Sequence, residues 1–167
     1  MKNKILLLLI GGLLLGSVLN AQTYVAFVPC MTTTVGNVGA KFSPGIELGR
    51  QWDVFSLGIN IGKTGSSPQG KRDTTLYFEL RPNLNIFQIG KFTNTFTPGI
   101  GYVPGNKNLM LEMTSGLEYS YTETFHINMF FGQYYYSGLT SNSSVSFVGI
   151  SIVKFFKKYK SSSVIKK

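Results

Sequence analysis

The sequence predicts an all-β protein, an eight-stranded antiparallel up-and-down transmembrane β-barrel behind a cleaved signal peptide, and three observations carry that expectation. One is a two-residue period stated twice across a short turn. From Leu109 the odd positions read Leu109, Leu111, Met113, Ser115, Leu117, Tyr119 and Tyr121, against Met110, Glu112, Thr114, Gly116, Glu118 and Ser120. After Thr122-Glu123-Thr124 the pattern resumes, with Phe125, Ile127, Met129, Phe131 and Tyr135 on one side and His126, Asn128, Phe130, Gly132 and Tyr134 on the other. Successive side chains of a strand point to opposite faces, so one face is apolar and the other largely polar. The second observation is length: these runs are twice the usual five or six residues of a soluble strand, and about 9–11 residues cross a bilayer at a tilt. The third is the start of the chain. Lys2 and Lys4, the apolar run Ile5 to Leu15 and then Gly16 to Ala21 have the three-part layout of a secretory signal peptide, with cleavage expected after Ala21.

The mature chain from Gln22 then divides into strands and turns. A first strand, Thr23 to Pro29, is apolar on both parities, and a Thr- and Gly-rich loop follows from Met31 to Ala40. The second strand sets Phe42, Pro44, Ile46 and Leu48 against Ser43, Gly45, Glu47 and Gly49, ends at Trp52 and turns over Gln51 to Asp53. The third sets Phe55, Leu57, Ile59 and Ile61 against Ser56, Gly58, Asn60 and Gly62, before a Gly-, Ser- and Pro-rich loop from Lys63 to Asp73. In the fourth, Leu76, Phe78, Leu80, Pro82, Leu84 and Ile86 oppose Thr75, Tyr77, Glu79, Arg81, Asn83 and Asn85, and Phe87 to Lys91 forms the turn. The fifth has Phe92, Phe96, Pro98, Ile100 and Tyr102 against Thr93, Thr95, Thr97, Gly99 and Gly101, closed by Val103 to Lys107. The long hairpin supplies the sixth and seventh strands, Ser137 to Ser144 a loop, and Val145 to Phe156 the eighth. Proline removes a ladder hydrogen bond, so Pro44, Pro82 and Pro98 are expected at bulges or strand ends. Phe42-Ser-Pro-Gly-Ile and Phe96-Thr-Pro-Gly-Ile echo one another.

Connections alternate long and short, with the odd-numbered ones long. Outer-membrane barrels have short periplasmic turns and longer external loops, so both termini are expected in the periplasm. An aromatic girdle is expected near the inner interface from Trp52, Phe55, Phe87, Phe92, Tyr119, Tyr121, Phe125, Phe155 and Phe156. The domain reading is therefore a signal peptide over 1–21, a barrel over 22–156 and a basic periplasmic tail over 157–167.

On the signal peptide, the eight alternating strands and the aromatic end of the last strand (Val148, Ile150, Ile152, Phe156), the chain resembles the small eight-stranded outer-membrane barrels of the OmpA membrane domain and OmpX class. That resemblance implies a Gram-negative outer-membrane protein inserted by the barrel-assembly machinery. Gln22 directly after the cleavage site resembles exported proteins of Bacteroidota. The chain departs from the family in carrying Lys157 to Lys167 beyond the final aromatic.

The formal charge of +9 does not point to nucleic acid. The signal peptide holds two basic residues and the tail five, leaving nine basic against seven acidic residues over Gln22 to Phe156. No basic stripe with interleaved stacking aromatics remains. Cys30 is the only cysteine, so the chain forms no internal disulfide. One histidine, one distant cysteine and carboxylates without ligand spacing give no metal site, and no glycine pair opens a helix as a phosphate loop would require. No cofactor is expected.

A barrel of eight strands has room for side chains and none for an open channel. The inward parity carries Glu47, Tyr77, Glu79, Arg81, Glu112, Glu118 and His126, which are expected to form an interior polar network, with Lys41, Lys71 and Lys91 as further partners. Buried carboxylates must be paired, because an isolated buried charge is very costly. His126 also permits a sharper reading, a nucleophilic triad with Glu118 and a serine such as Ser120. Lipid A deacylases are barrels of this size. They carry a lipid-facing His-x-Ser motif, whereas this chain reads His126-Ile127-Asn128 on the inward parity. Lys63, Lys71, Arg72 and Lys107, at or near the external loops, are candidates for lipopolysaccharide phosphates, and the tail for anionic headgroups. Three functions stand open: a non-enzymatic envelope or surface-interaction barrel, a lipid A-modifying enzyme, and a soluble secreted barrel that would hold its apolar face inside around a ligand.

Overall fold

A computed structural model describes residues 21–34, 40–64, 75–137 and 142–156. Residues 1–20 of the expected signal peptide, the expected basic tail, Lys71 and Arg72 fall outside the described residues. The strand segments are β1 (Gln22–Phe27), β2 (Cys30–Thr34), β3 (Lys41–Ser43), β4 (Gly45–Trp52), β5 (Phe55–Lys63), β6 (Leu76–Ile89), β7 (Phe92–Val103), β8 (Asn108–Thr122), β9 (Phe125–Ser137) and β10 (Asn142–Phe155). They make eight staves. β1 and β2 are successive pieces of the first, β3 and β4 of the second, and β10 pairs with β9 on one side and with both β1 and β2 on the other. Every neighbour is antiparallel, and this last pairing closes the barrel and leaves no free edge.

The period-two faces hold along the strands, apart from the end of β6 beyond Asn85. In β8 the even positions Met110, Glu112 and Thr114 are buried while Leu109, Leu111 and Met113 are exposed, and β10 buries Val145, Phe147, Ser151 and Val153 while exposing Val148, Ile150 and Ile152. Apolar side chains therefore cover the outside and the polar face fills the lumen. A soluble ligand-binding barrel would have these faces reversed. An apolar exterior with every strand paired is what the bilayer demands, because lipid offers no partner to a free backbone group.

Several boundaries differ from the sequence expectation. The first stave runs on through Thr34, so the first four residues of the expected 31–40 loop are strand, held against β10 by pairs such as Met31 with Val148. The three tight connections are two residues each: Asp53–Val54, Gly90–Lys91 and Glu123–Thr124. Phe87 to Ile89 accordingly belong to β6. Gly90 has φ 60, the positive first-central angle of a type II′ hairpin turn, which glycine adopts without steric cost. At the other end of the barrel the connections span 35–40, 64–75, 104–107 and 138–141, so the length asymmetry stands although the last is half the expected loop.

Pro44 falls at the break between β3 and β4, a strand end as expected, whereas Pro82 and Pro98 lie inside β6 and β7. Phe27 lies opposite Ile46 and Cys30 opposite Ser43, and the same register sets Pro29 opposite Pro44. Val28 and Gly45 exchange both backbone bonds, at 2.8 and 3.1 Å, so alternation aims the missing N–H of Pro29 at Ile150 and that of Pro44 at Lys63. The Lys63 carbonyl instead accepts the Ser43 hydroxyl at 2.6 Å. Likewise Leu80 opposite Ile100 and Leu84 opposite Phe96 set Pro82 opposite Pro98. Asn85 N–H bonds Val54 on the β5 side, so Pro82 faces β7 and the Pro82–Pro98 pair lacks both of its ladder bonds. Thr97 Oγ1 donates to Asn83 Oδ1 at 2.8 Å across that gap. Both five-residue echoes thus carry a proline that faces another proline. Register shifts lie elsewhere: one between Asn85 and Phe87 turns Ile86 and Phe87 both outward, and another falls between Ser120 and Thr122 in β8.

Candidate functional site in the polar interior

Arg81 is the centre of the interior. β6 projects it inward between Tyr77–Glu79 and Asn83, and β4, β5, β7 and β8 bring the surrounding groups to it. Its Nη1 donates to Glu47 Oε2 at 2.7 Å, and Nε and Nη2 make a bidentate pair with Glu112 Oε2 and Oε1, each at 2.8 Å. Glu79 Oε2 lies 3.8 Å from Nε. Hydroxyls complete the carboxylates: Tyr24 donates to Glu47 and Thr114 to Glu112. Asn60 Nδ2 donates to Tyr77 OH at 3.0 Å and to Glu79 Oε2 at 3.3 Å. Glycine makes the space, since a Cβ at Gly99 would stand 2.6 Å from Glu79 Oε1 and 2.9 Å from Glu112 Oε2. Among the described residues Glu79 Oε1 and Asn60 Oδ1 are buried without a hydrogen-bond partner.

Glu118 and His126 form a second, separate pair near the short turn between β8 and β9. Ser120 lies opposite His126, which sets Glu118 diagonally beside it, and His126 Nδ1 is 2.8 Å from Glu118 Oε1. The Phe155 ring packs on the imidazole, with centroids 4.8 Å apart. A cavity of about 50 Å³, lined by Glu47, Arg81, Asn83, Glu118, Asn128 and Ser151 among others, separates this pair from the Arg81 cluster. It has room for water, whose share of the liquid is about 30 Å³. Above the cluster the lumen is filled by Tyr77, Tyr134, Tyr136 and Phe147, with Tyr134 and Phe147 stacked at 4.2 Å.

Glu47, Tyr77, Glu79, Arg81 and Glu112 are thus brought into one cluster, and Glu118 with His126 into another. Among the described residues the interior ion pairs run to Arg81 and His126 and not to Lys41 or Lys91; Lys91 sits on a short turn, 6.0 Å from the Tyr119 ring centroid. Tyr24, Asn60 and Thr114 join the cluster without having been singled out. Asn60 and Thr114 lie on the inward parity of clean strands, whereas the first strand's two apolar parities conceal Tyr24. Phe155 is buried in the lumen and leaves the expected girdle; Trp52 stacks on Phe55 at 5.7 Å, and Phe92 packs on Tyr119 at 5.0 Å. Lys63 and Lys107 are exposed at the end of the barrel that carries the longer connections. No group of three His, Cys, Asp or Glu that could hold a metal ion occurs among the described residues.

No protein-family model matches the sequence, and no curated protein sequence does. Solved structures do. The crystal structure of Neisserial surface protein A superposes with a TM-score of 0.59 at 8% identity, covering 82% of this chain and 97% of that one. The N-terminal β-barrel domain of Pseudomonas aeruginosa OprF gives 0.52 at 13% identity, over 80% and 98% of the two chains. Outer membrane protein H of P. aeruginosa gives 0.53 at 11%, over 78% and 98%. At such identities the likeness is one of architecture, and the chain has the fold of the small eight-stranded outer-membrane β-barrels.

Proposed function

We propose that this protein is a non-enzymatic barrel of a Gram-negative outer membrane, with its termini in the periplasm and a structural, envelope-integrity or surface-interaction role. The observation that carries the reading is the pairing of an apolar exterior with a lumen closed by the Arg81 cluster. The exterior needs a bilayer, and the side-chain plug gives a solute no passage. The fold shared with outer membrane protein H and with Neisserial surface protein A supports the location. The short two-residue turns lie at the end where the chain's termini emerge, as periplasmic turns do. Insertion then falls to the barrel-assembly machinery. Lys63 and Lys107, with Lys71 and Arg72, would meet lipopolysaccharide phosphates at the opposite rim.

The lipid A-modifying alternative stands on His126. That residue points into the lumen, pairs with Glu118 and is covered by Phe155, so a lipid ester outside the wall has no route to its ring. The experiment is membrane fractionation of the producing strain together with mass spectrometry of its lipid A. The protein is expected in the outer-membrane fraction, and His126→Asn is expected to leave the lipid A mass unchanged. Recovery in the soluble fraction overturns the location, and a shift by one acyl chain in a folded His126→Asn strain restores the enzyme.

A further inference from the structure

The outer wall is not uniformly convex. A groove of about 630 Å³ crosses its membrane-facing side over β2, β3 and β7 to β10. Its origin is visible in the register. One outward row across the staves reads Phe96, Ser115, Phe131, Val148, Met31, Phe42, and the next reads Asn94, Leu117, Met129, Ile150, Pro29. In the first row Ser115 is the single small residue among bulky ones. Met129, Phe131 and Val148 stand up from the wall, each more than half exposed, and form the sides. Such a volume lies within the range of about 300–1,000 Å³ usual for sites that hold a small ligand.

We propose that this groove binds one acyl chain of a phospholipid from the leaflet at the short-turn end of the barrel. The inference deepens the membrane reading above and rests on it. The groove lies in the apolar band that the bilayer covers, and its lining is aliphatic, aromatic and thioether, with methionine able to follow an irregular chain. Its polar mark is at one end. Asn94 lies two residues from the start of β7, near the turn at Gly90–Lys91, and its Nδ2 reaches Gly116 O at 3.4 Å. The second amide hydrogen is left for the ester carbonyl of a lipid. From there the tail runs past Leu117, Met129 and Val148 toward Phe42. A second copy docked by two-fold symmetry would set concave against concave and leave the volume unfilled.

The test uses the full mature chain in phospholipid vesicles whose acyl chains carry bromine, a quencher of tryptophan fluorescence. Trp52→Phe, which preserves the stack on Phe55, clears the background. Met129→Trp then reports from the groove and Leu80→Trp from the outer wall elsewhere. When vesicles of brominated lipid that carry the protein are fused with an excess of unlabelled ones, quenching at position 129 is expected to decay roughly tenfold more slowly than at position 80, because a groove-bound chain exchanges more slowly than lipid at the plain wall. Ser115→Phe should abolish that difference and Ser115→Ala preserve it. Equal decay at the two reporters overturns the proposal whether or not Ser115→Phe folds. Quenching at position 129 that falls as protein concentration rises assigns the groove to a second copy instead. Failure of the protein to float with the vesicles overturns the membrane reading itself, which separates the two.

Discussion

Arg81 faces three carboxylates inside a wall of low dielectric, and that imbalance decides what each substitution does. Glu47 and Glu112 take the guanidinium's short contacts, one and two respectively, while Glu79 touches it only at 3.8 Å and leaves one oxygen without a partner. Removing one member of a buried ionic group costs about 3–5 kcal/mol, because the partners keep their desolvation and lose their attraction. Arg81→Met is therefore expected to destabilise the barrel by about that amount in reversible urea unfolding in lipid. Glu79→Gln should behave oppositely: the amide removes one negative charge and supplies an N–H toward Glu112, so stability is expected to stay within about 1 kcal/mol of wild type or to rise. A loss from Glu79→Gln as large as that from Arg81→Met would mean that Glu79 is an integral ion-pair partner.

At the scale of the strand, the facing prolines matter most. Pro82 and Pro98 stand where two ladder bonds belong, and the Thr97–Asn83 side-chain bond spans the place from inside. Pro98→Ala restores one N–H opposite the Pro82 carbonyl, and its amide is expected to exchange slowly with deuterium, as neighbouring β7 amides do. Fast exchange there would show that the wall stays open for reasons other than the missing donor. Strand position also sets the cost of outward charge. Leu80→Arg, in the middle of the β6 span, should cost about 2–4 kcal/mol, while Leu76→Arg, at the first residue of β6, should cost about 0–1 kcal/mol. Equal costs in a lipid refolding measurement would mean that the bilayer does not sit where the apolar band places it.

For the molecule as a whole, the asymmetry of the two ends is what the proposed orientation rests on. Three connections of two residues share one end with both the start of β1 and the end of β10, and the longer connections share the other. In a Cys30→Ser background, which keeps a donor for the Ser43 carbonyl that the thiol now contacts, two single cysteines read the two ends. Lys107→Cys, in the turn between β7 and β8, is expected to label in intact cells with an impermeant thiol reagent. Glu123→Cys is expected to label only after the outer membrane is permeabilised. The reverse result would place the termini outside.

How much of this was legible beforehand follows from what each feature depends on. A strand's two faces are a local property, so the alternation in β5, β8 and β9 by itself determined which residues point inward, down to the Glu118–His126 neighbourhood that a tight turn fixes across one hairpin. Alternation is silent where both parities are apolar. Tyr24 could be assigned to the lumen, and the first stave extended through Thr34, only once pairing with β10 was in place. Parity likewise could not foresee which inward charges meet, because Glu47, Arg81 and Glu112 sit on three staves separated by 34 and 31 residues, and only closure of the barrel brings them to one guanidinium. The facing prolines and the groove belong to the same class. Each is a relation between staves, set by register, and register is decided by how the whole sheet closes and not by any one strand's sequence.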